Sequence, residues 1–264
     1  MSNAKVIKDM PHGDYLKAEG ISNSLLSRMK PTPANCKEHM DNPSEATPDM
    51  LFGRYLHSLV LEPETVADTY AIKPECDRRT KVGKAIYAEF IEKSEGKPIV
   101  TLEQVEAGTA MQSRLNQSNA ATTILEGCER EVSVFWQDGT GAAMKCRFDA
   151  IGKGLIVDYK TCADASPAGF PKSIATFGYH RQAALYTDGY EAAFGERPKG
   201  FVFIAQEKKA PYLTACYVLD GDSYSIGYDE YRRLLVQFLD CQADGVWSGY
   251  PDQVEEVSLP NWYS

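Results

Sequence analysis

The chain is 264 residues long and carries 37 acidic against 28 basic side chains, a formal charge of −9. With 43% hydrophobic and 25% charged residues it has ordinary globular composition, which excludes a disordered chain. No apolar run approaches the roughly 18 residues of a membrane span, the start lacks a charged-then-apolar signal pattern, and the acidic balance excludes a generally basic nucleic-acid coat protein.

In chain order, the first 20 residues read as a tail. A helix starts at Ser22 or Asn23, with Leu25, Leu26 and Met29 behind the cap, and Pro31, Pro33, Pro43 and Pro48 interrupt the next stretch. Leu51, Phe52, Tyr55, Leu56 and Leu59 recur at helical spacing and predict a helix over 48–61, with Pro63 beyond its end. Residues 64–82 read as loop or short strand; helices follow over 82–93 and 102–117, the latter capped by Thr101. From Glu131 the period changes to two: strands are predicted over 131–136, 143–151 and 155–160, a helix over 171–193, strands over 200–206 and 213–219, and a long amphipathic helix over 222–244. Helices first and a βββαββα block second give an α/β (α+β) chain: one domain over 21–264, with a helical elaboration over about 21–128 and a core over about 129–250. Seven scattered cysteines, odd in number and without a C-x-x-C pair, argue against a disulfide framework, a zinc ribbon or an iron–sulfur cluster and fit a reducing cytoplasm.

The stretch from Arg147 to Thr161 carries the chemistry. A tight turn centred on Lys153-Gly154 pairs residue 152 with 155 and 149 with 158, which sets the Asp149 and Asp158 carboxylates against each other on one face, Cβ atoms about 5 Å apart. Opposed anions repel unless a cation lies between them, and a hard divalent ion such as Mg²⁺, with Mn²⁺ as a substitute, suits two carboxylates. Lys160, on the same face as Asp158, would have its neutral form favoured beside the ion and could position or deprotonate an attacking water. The bland alternative makes Asp149 a turn cap and Asp158–Lys160 a surface ion pair. Against it, Asp158 interrupts the apolar run Leu-Ile-Val-Asp-Tyr, where an unpartnered carboxylate is costly.

Asp149, eight intervening residues and then Asp158-Tyr159-Lys160-Thr161 resemble the PD-(D/E)xK nuclease signature in its RecB-type arrangement. The run from Tyr179 to Tyr186 is similar to the Q-x-x-x-Y element of that group, and Gly53-Arg54-Tyr55-Leu56-His57 to its upstream histidine helix. With Glu131–Trp136 and the Arg78-Arg79-Thr80-Lys81 loop, the pattern looks most like the RecE-like (exodeoxyribonuclease VIII) nucleases, over about residues 21–250. Phe148 departs from the proline or isoleucine common before the first aspartate, and the cysteine quartet of the iron–sulfur members is absent. The resemblance implies a restriction-endonuclease-like core, a mixed sheet flanked by helices. It also implies an ATP-independent 5′→3′ exonuclease acting on double-stranded DNA ends in phage or prophage recombination, beside a single-strand annealing protein and as a ring-shaped homo-oligomer. It makes His57 a metal ligand beside Asp149 and Asp158, with the Tyr159 carbonyl completing the shell. An endonuclease or structure-specific nuclease on the same core, or a non-catalytic DNA-binding protein, are the alternatives.

Other candidates have two readings each. A lone histidine on an apolar helix, as His57 is, is commonly a core residue. Tyr179, Gln182 and Tyr186 form one helical stripe that either packs in the core or faces DNA. Glu131 is either a solvated edge residue or a group that orients the site beside Arg147 or Lys160. Arg78, Arg79, Lys81 and Lys84 are either a solvated face or a phosphate-tracking loop.

Overall fold

A computed structural model describes residues 4–44 and 46–260. The N-terminal part holds β1 (Lys5–Ile7), α1 (His12–Lys17), α2 (Asn23–Ser27), α3 (Pro33–Asp41), α4 (Pro48–Leu61), α5 (Val66–Thr69), β2 (Ala71–Ile72), α6 (Lys81–Lys93), β3 (Ile99–Val100), α7 (Leu102–Asn116) and α8 (Asn119–Leu125). The remainder runs β4 (Glu129–Gln137), β5 (Ala143–Gly152), β6 (Leu155–Cys162), α9 (Phe170–Phe177), α10 (Tyr179–Phe194), β7 (Gly200–Glu207), β8 (Thr214–Val218) and α11 (Gly221–Asp244). The main sheet has the order β1-β4-β5-β6-β7-β8 and is antiparallel except for the β6–β7 pair, which the α9–α10 crossover makes parallel. This is the expected mixed sheet flanked by helices.

Each sheet face buries its own apolar cluster. Met144, Cys146, Phe148, Ile156, Phe201 and Phe203 pack with Leu185 of α10 and Leu234, Leu235 and Phe238 of α11. Ala150, Val157, Tyr159 and Ile204 pack on the other side with Tyr55 and Leu56 of α4, Met111 and Leu115 of α7 and Leu125 of α8. Local chemistry explains the ends of these helices. The side chains of Ser22, Thr47 and Thr101 each accept a backbone N–H three residues on, and Thr101 with Gln104 completes a reciprocal capping box. The β5–β6 hairpin turns on Lys153 (φ 56°) and Gly154 (φ 80°), and positive φ at both central residues is the twist-matched two-residue turn that the Lys-Gly pair suggested.

Two expectations change. The helix predicted over 171–193 is two helices, because Gly178 adopts φ 69° between α9 and α10. A Cβ there would lie 2.3 Å from the Arg181 guanidinium, so the corner demands glycine. The first 20 residues, expected as a tail, include β1, which pairs antiparallel with β4, and α1, whose C-terminal end is held by Lys145. Lys145 Nζ donates to the carbonyls of Tyr15, Leu16 and Ala18 at 2.5–3.3 Å, satisfying groups that a helix end otherwise leaves open. Lys145→Met leaves those carbonyls without a donor, at a cost of about 1–3 kcal/mol. The expected result is a lowered Tm and faster proteolysis within residues 8–20; unchanged protection of that segment would refute the role given to Lys145.

Candidate functional site

Glu131 of β4, Asp149 of β5 and Asp158 of β6 lie in one row across three neighbouring strands, and the row is where the ladders break. The β4–β5 register passes from Arg130↔Ala150 to Val132↔Phe148 and omits the 131–149 pair; Glu131 there has φ 51°. The β5–β6 register likewise ends at Ala150↔Val157, one step short of the expected 149–158 pair. Phe148 and Ala150 fall into opposite core clusters, so strict side-chain alternation slips at Asp149. Its carboxylate fills the gap by accepting the Tyr159 N–H at 2.8 Å. The Tyr159 carbonyl leaves the chain on the same strand edge as that N–H, beside Asp149, while its side chain turns away and donates its hydroxyl to Gln206 at 2.7 Å.

His57 reaches the row from α4. Its Nδ1 is 3.6 Å from Asp149 Oδ2, and its ring lies edge-on to Tyr159 at 5.2 Å. Ligand atoms of His57, Glu131 and Asp149 all lie within 4.8 Å of one another. Around an octahedral ion bound at about 2.1 Å, neighbouring ligands stand about 3 Å apart and opposite ones about 4.2 Å, so closing movements on the order of 1 Å would let these three groups hold a divalent cation. Burial and the Lys160 charge bring the His57 imidazole down to about 4, leaving it neutral and competent as a ligand. Burial and the Asp149 charge push the Glu131 carboxyl up to about 7 despite its hydrogen bond from Arg147 Nε. Burial also raises Asp149, against the pull of Lys160. Burial and like charge thus disfavour full ionisation of this pair of carboxylates, and a cation between them would relieve both.

Asp158, expected as a second ligand, lies outside this triad. It is 1% exposed, its Oδ2 is 2.6 Å from Lys160 Nζ, and its Oδ1 accepts the Gln182 amide at 2.7 Å. Burial pushes its carboxyl up to about 6 against the opposing pull of Lys160. At Lys160 burial alone would lower the pKa of the ammonium, but the Asp158 and Asp149 carboxylates outweigh burial and raise it.

The helical stripe also divides. Gln182, expected toward DNA, is buried and spends its amide on Asp158, because α10 packs its Gln182 face onto the sheet. Tyr186 is likewise turned inward, edge-on to Phe148 at 5.6 Å. Tyr179 stays half-buried with Lys160 Nζ 4.8 Å above its ring. Arg78 stacks over Tyr87 at 4.0 Å, Arg79 pairs with Asp77 at 3.0 Å and Lys81 opens α6; all three are exposed, and no contact among the described residues joins them to the acidic row.

Two residues escaped the sequence reading. Arg54 precedes His57 by one turn on the same face of α4, is half-buried and has no hydrogen bond or ion pair among the described residues. Its proximity to His57 in the sequence was the available signal. His12 is brought in by the N-terminal segment, which Arg147 Nη1 anchors through the Met10 carbonyl at 2.6 Å. His12 remains exposed at the surface, and its imidazole is brought down to about 4 by partial loss of solvent together with the charges of Arg54, Arg147 and His57.

Residues 22–260 match the model of a family described as a PDDEXK-like domain of unknown function (DUF3799). A solved protein from Eubacterium rectale, provisionally described as an exonuclease, is similar in fold: TM-score 0.66 and 15% identity, over 96% of this chain and 97% of that one. A second structure, SSO0001, aligns at a TM-score of only 0.31 with 14% identity, over 73% of this chain and 87% of that one. No curated protein matches the chain.

Proposed function

The chain belongs to the PDDEXK-like (DUF3799) family, and from that premise we propose a divalent-metal-dependent deoxyribonuclease that uses Mg²⁺ or Mn²⁺, of the RecE-like kind. The single observation that carries this reading is the row of Glu131, Asp149 and Asp158 at broken strand ladders, with His57 on one flank and Lys160 on the other. His57, Glu131 and Asp149 would hold the ion, with the Tyr159 carbonyl beside them and Asp158 next in the row, paired with Lys160. When bound, the ion supplies a Lewis acid for the phosphate and a lowered pKa for water. The protein's own groups do the rest. Arg147 orients Glu131, the Tyr159 N–H fixes Asp149, and Gln182 fixes Asp158. The Lys160 ammonium aligns the attacking water and offers a proton at Nζ. Arg54 and His12 extend positive and hydrogen-bonding character out from the triad, where a phosphate would approach.

The sequence resemblance extends the proposal to 5′→3′ digestion of double-stranded ends without ATP, in phage or prophage recombination, by a ring-shaped oligomer working beside a single-strand annealing protein. The exposed Arg78, Arg79 and Lys81 would track the phosphates of the incoming duplex. No helix among the described residues is long and apolar enough to cross a membrane; action in the cytoplasm is part of the proposal.

Closed-circular and linear DNA incubated with Mg²⁺ test this directly. The expected result is loss of linear DNA only, abolished by chelator and restored by Mn²⁺. Cutting of both forms would make the protein an endonuclease, and cutting of neither would leave a DNA-binding protein on a nuclease fold.

A further inference from the structure

The α9–α10 corner carries an aromatic side chain that neither packing nor the acidic row accounts for. Phe177, the last residue of α9, is 59% exposed although it is a large hydrophobe. Its ring is stacked on Tyr179, centroids 5.6 Å apart and planes inclined by 28°. Tyr179 is backed in turn by Phe203 at 6.0 Å and Phe170 at 6.3 Å. Lys160 Nζ lies 4.8 Å from the Tyr179 ring and 2.6 Å from Asp158. An exposed aromatic is thus joined to the acidic row through two side chains.

The corner is rigid as well as exposed. Arg181, 1% exposed, donates to Asn23 Oδ1 at 3.0 Å and Ser27 Oγ at 2.6 Å and pairs with Glu230 at 3.2 Å, which ties the start of α10 to α2 and α11. Gly178 closes over that guanidinium. Phe177 is therefore held in place before any ligand arrives, so little side-chain entropy is lost when something stacks on it.

We propose that Phe177 is a stacking platform for an unpaired base of the DNA strand whose phosphate enters the acidic row. The ligand class is a single-stranded or frayed DNA segment. Within a duplex only the terminal base pair offers a free face, whereas every unpaired base has one. Stacking also suits this chain electrostatically: at a formal charge of −9 it gains less from phosphate neutralisation than a basic nuclease would, and an aromatic face adds affinity without charge. The proposal rests on the nuclease reading and adds the substrate feature that the site would select.

The test uses the whole chain with Ca²⁺ in place of Mg²⁺, so that binding is measured without cleavage. The probes are a labelled single-stranded oligonucleotide of about 15 nucleotides and the same strand with one abasic residue moved along it. With wild type, the abasic residue at one position is expected to weaken binding on the order of 5- to 100-fold. Phe177→Leu, which keeps the bulk and loses the π face, should bind the intact strand weakly by that same factor and no longer sense the missing base. Phe177→Tyr should behave as wild type. Equal losses for intact and abasic strands in Phe177→Leu, unchanged binding, or no sensitive position in wild type would each overturn the platform. Cleavage of linear DNA by wild type with Mg²⁺ is scored separately. An abasic effect without cleavage sinks the nuclease reading and keeps the platform; cleavage without an abasic effect does the reverse.

Discussion

Asp158→Asn is expected to lower DNA cleavage by about 10³-fold or more while the chain stays folded. This follows because Asp158 is the buried link between two donors, Lys160 and Gln182, and an amide removes the negative charge and leaves one acceptor oxygen where there were two. The neutral, isosteric replacement is the informative one; Asp158→Ala would leave a buried ammonium without its 2.6 Å partner, at several kcal/mol, and confuse chemistry with unfolding. The same variant has a pH signature in chelator. The folded-state pKa of Asp158 is raised from 3.8 to about 6, so the native state binds more protons than the unfolded state between those values. The contribution of Asp158 to stability therefore falls as pH rises from about 4 to 6, on the order of 2–3 kcal/mol, against the opposite trend from the lowered His57 and His12. Asp158→Asn lacks that ionisation, so its Tm relative to wild type should climb over the same window. Single-turnover cleavage and thermal melts at a series of pH values give both readouts; retained cleavage removes Asp158 from the reaction.

Lys160→Met separates rate from ion binding. The ammonium stands beside two buried carboxylates and is held charged by them. Replacing it with an apolar chain of similar length should cut the cleavage rate by about 10²–10⁴-fold, the range for losing a positioned proton-handling group. Mn²⁺ affinity should not fall in parallel, because Lys160 competes with a cation for the same negative charge. Calorimetric titration with Mn²⁺ beside single-turnover kinetics decides it. A matched loss of rate and affinity would make Lys160 a structural counter-ion and nothing more.

Several features that depend on neighbours close in the chain were legible in the sequence, the Gly178 corner being an exception. The caps at Ser22 and Thr101, the 48–61 helix and the Lys153-Gly154 turn are short-range, and each is set by hydrogen bonds or φ preferences within a few residues. The counting that put Asp149 opposite Asp158 used the right register, since Ala150↔Val157 is the adjacent pair. What it lacked was the end of the ladder, where a side chain takes over the hydrogen bond that a strand would have made. Glu131 kept two readings, solvated edge residue or orienting group beside Arg147 or Lys160, for a related reason: nothing in Glu-Arg-Glu-Val-Ser-Val announces a positive φ in mid-strand, which only the packing around it maintains.

Residue identities and spacings pointed to the acidic groups on adjacent strands and the amine two residues after the last, and the family resemblance added the histidine of an upstream helix. Which of these meet was decided by tertiary structure. His57 is 92 residues from Asp149 in sequence yet 3.6 Å away in space, and the same folding drew Gln182 inward and brought His12 to the site. Periodicity states that a helix has a face; only the packing of α4 and α10 against opposite sides of the sheet states what that face meets.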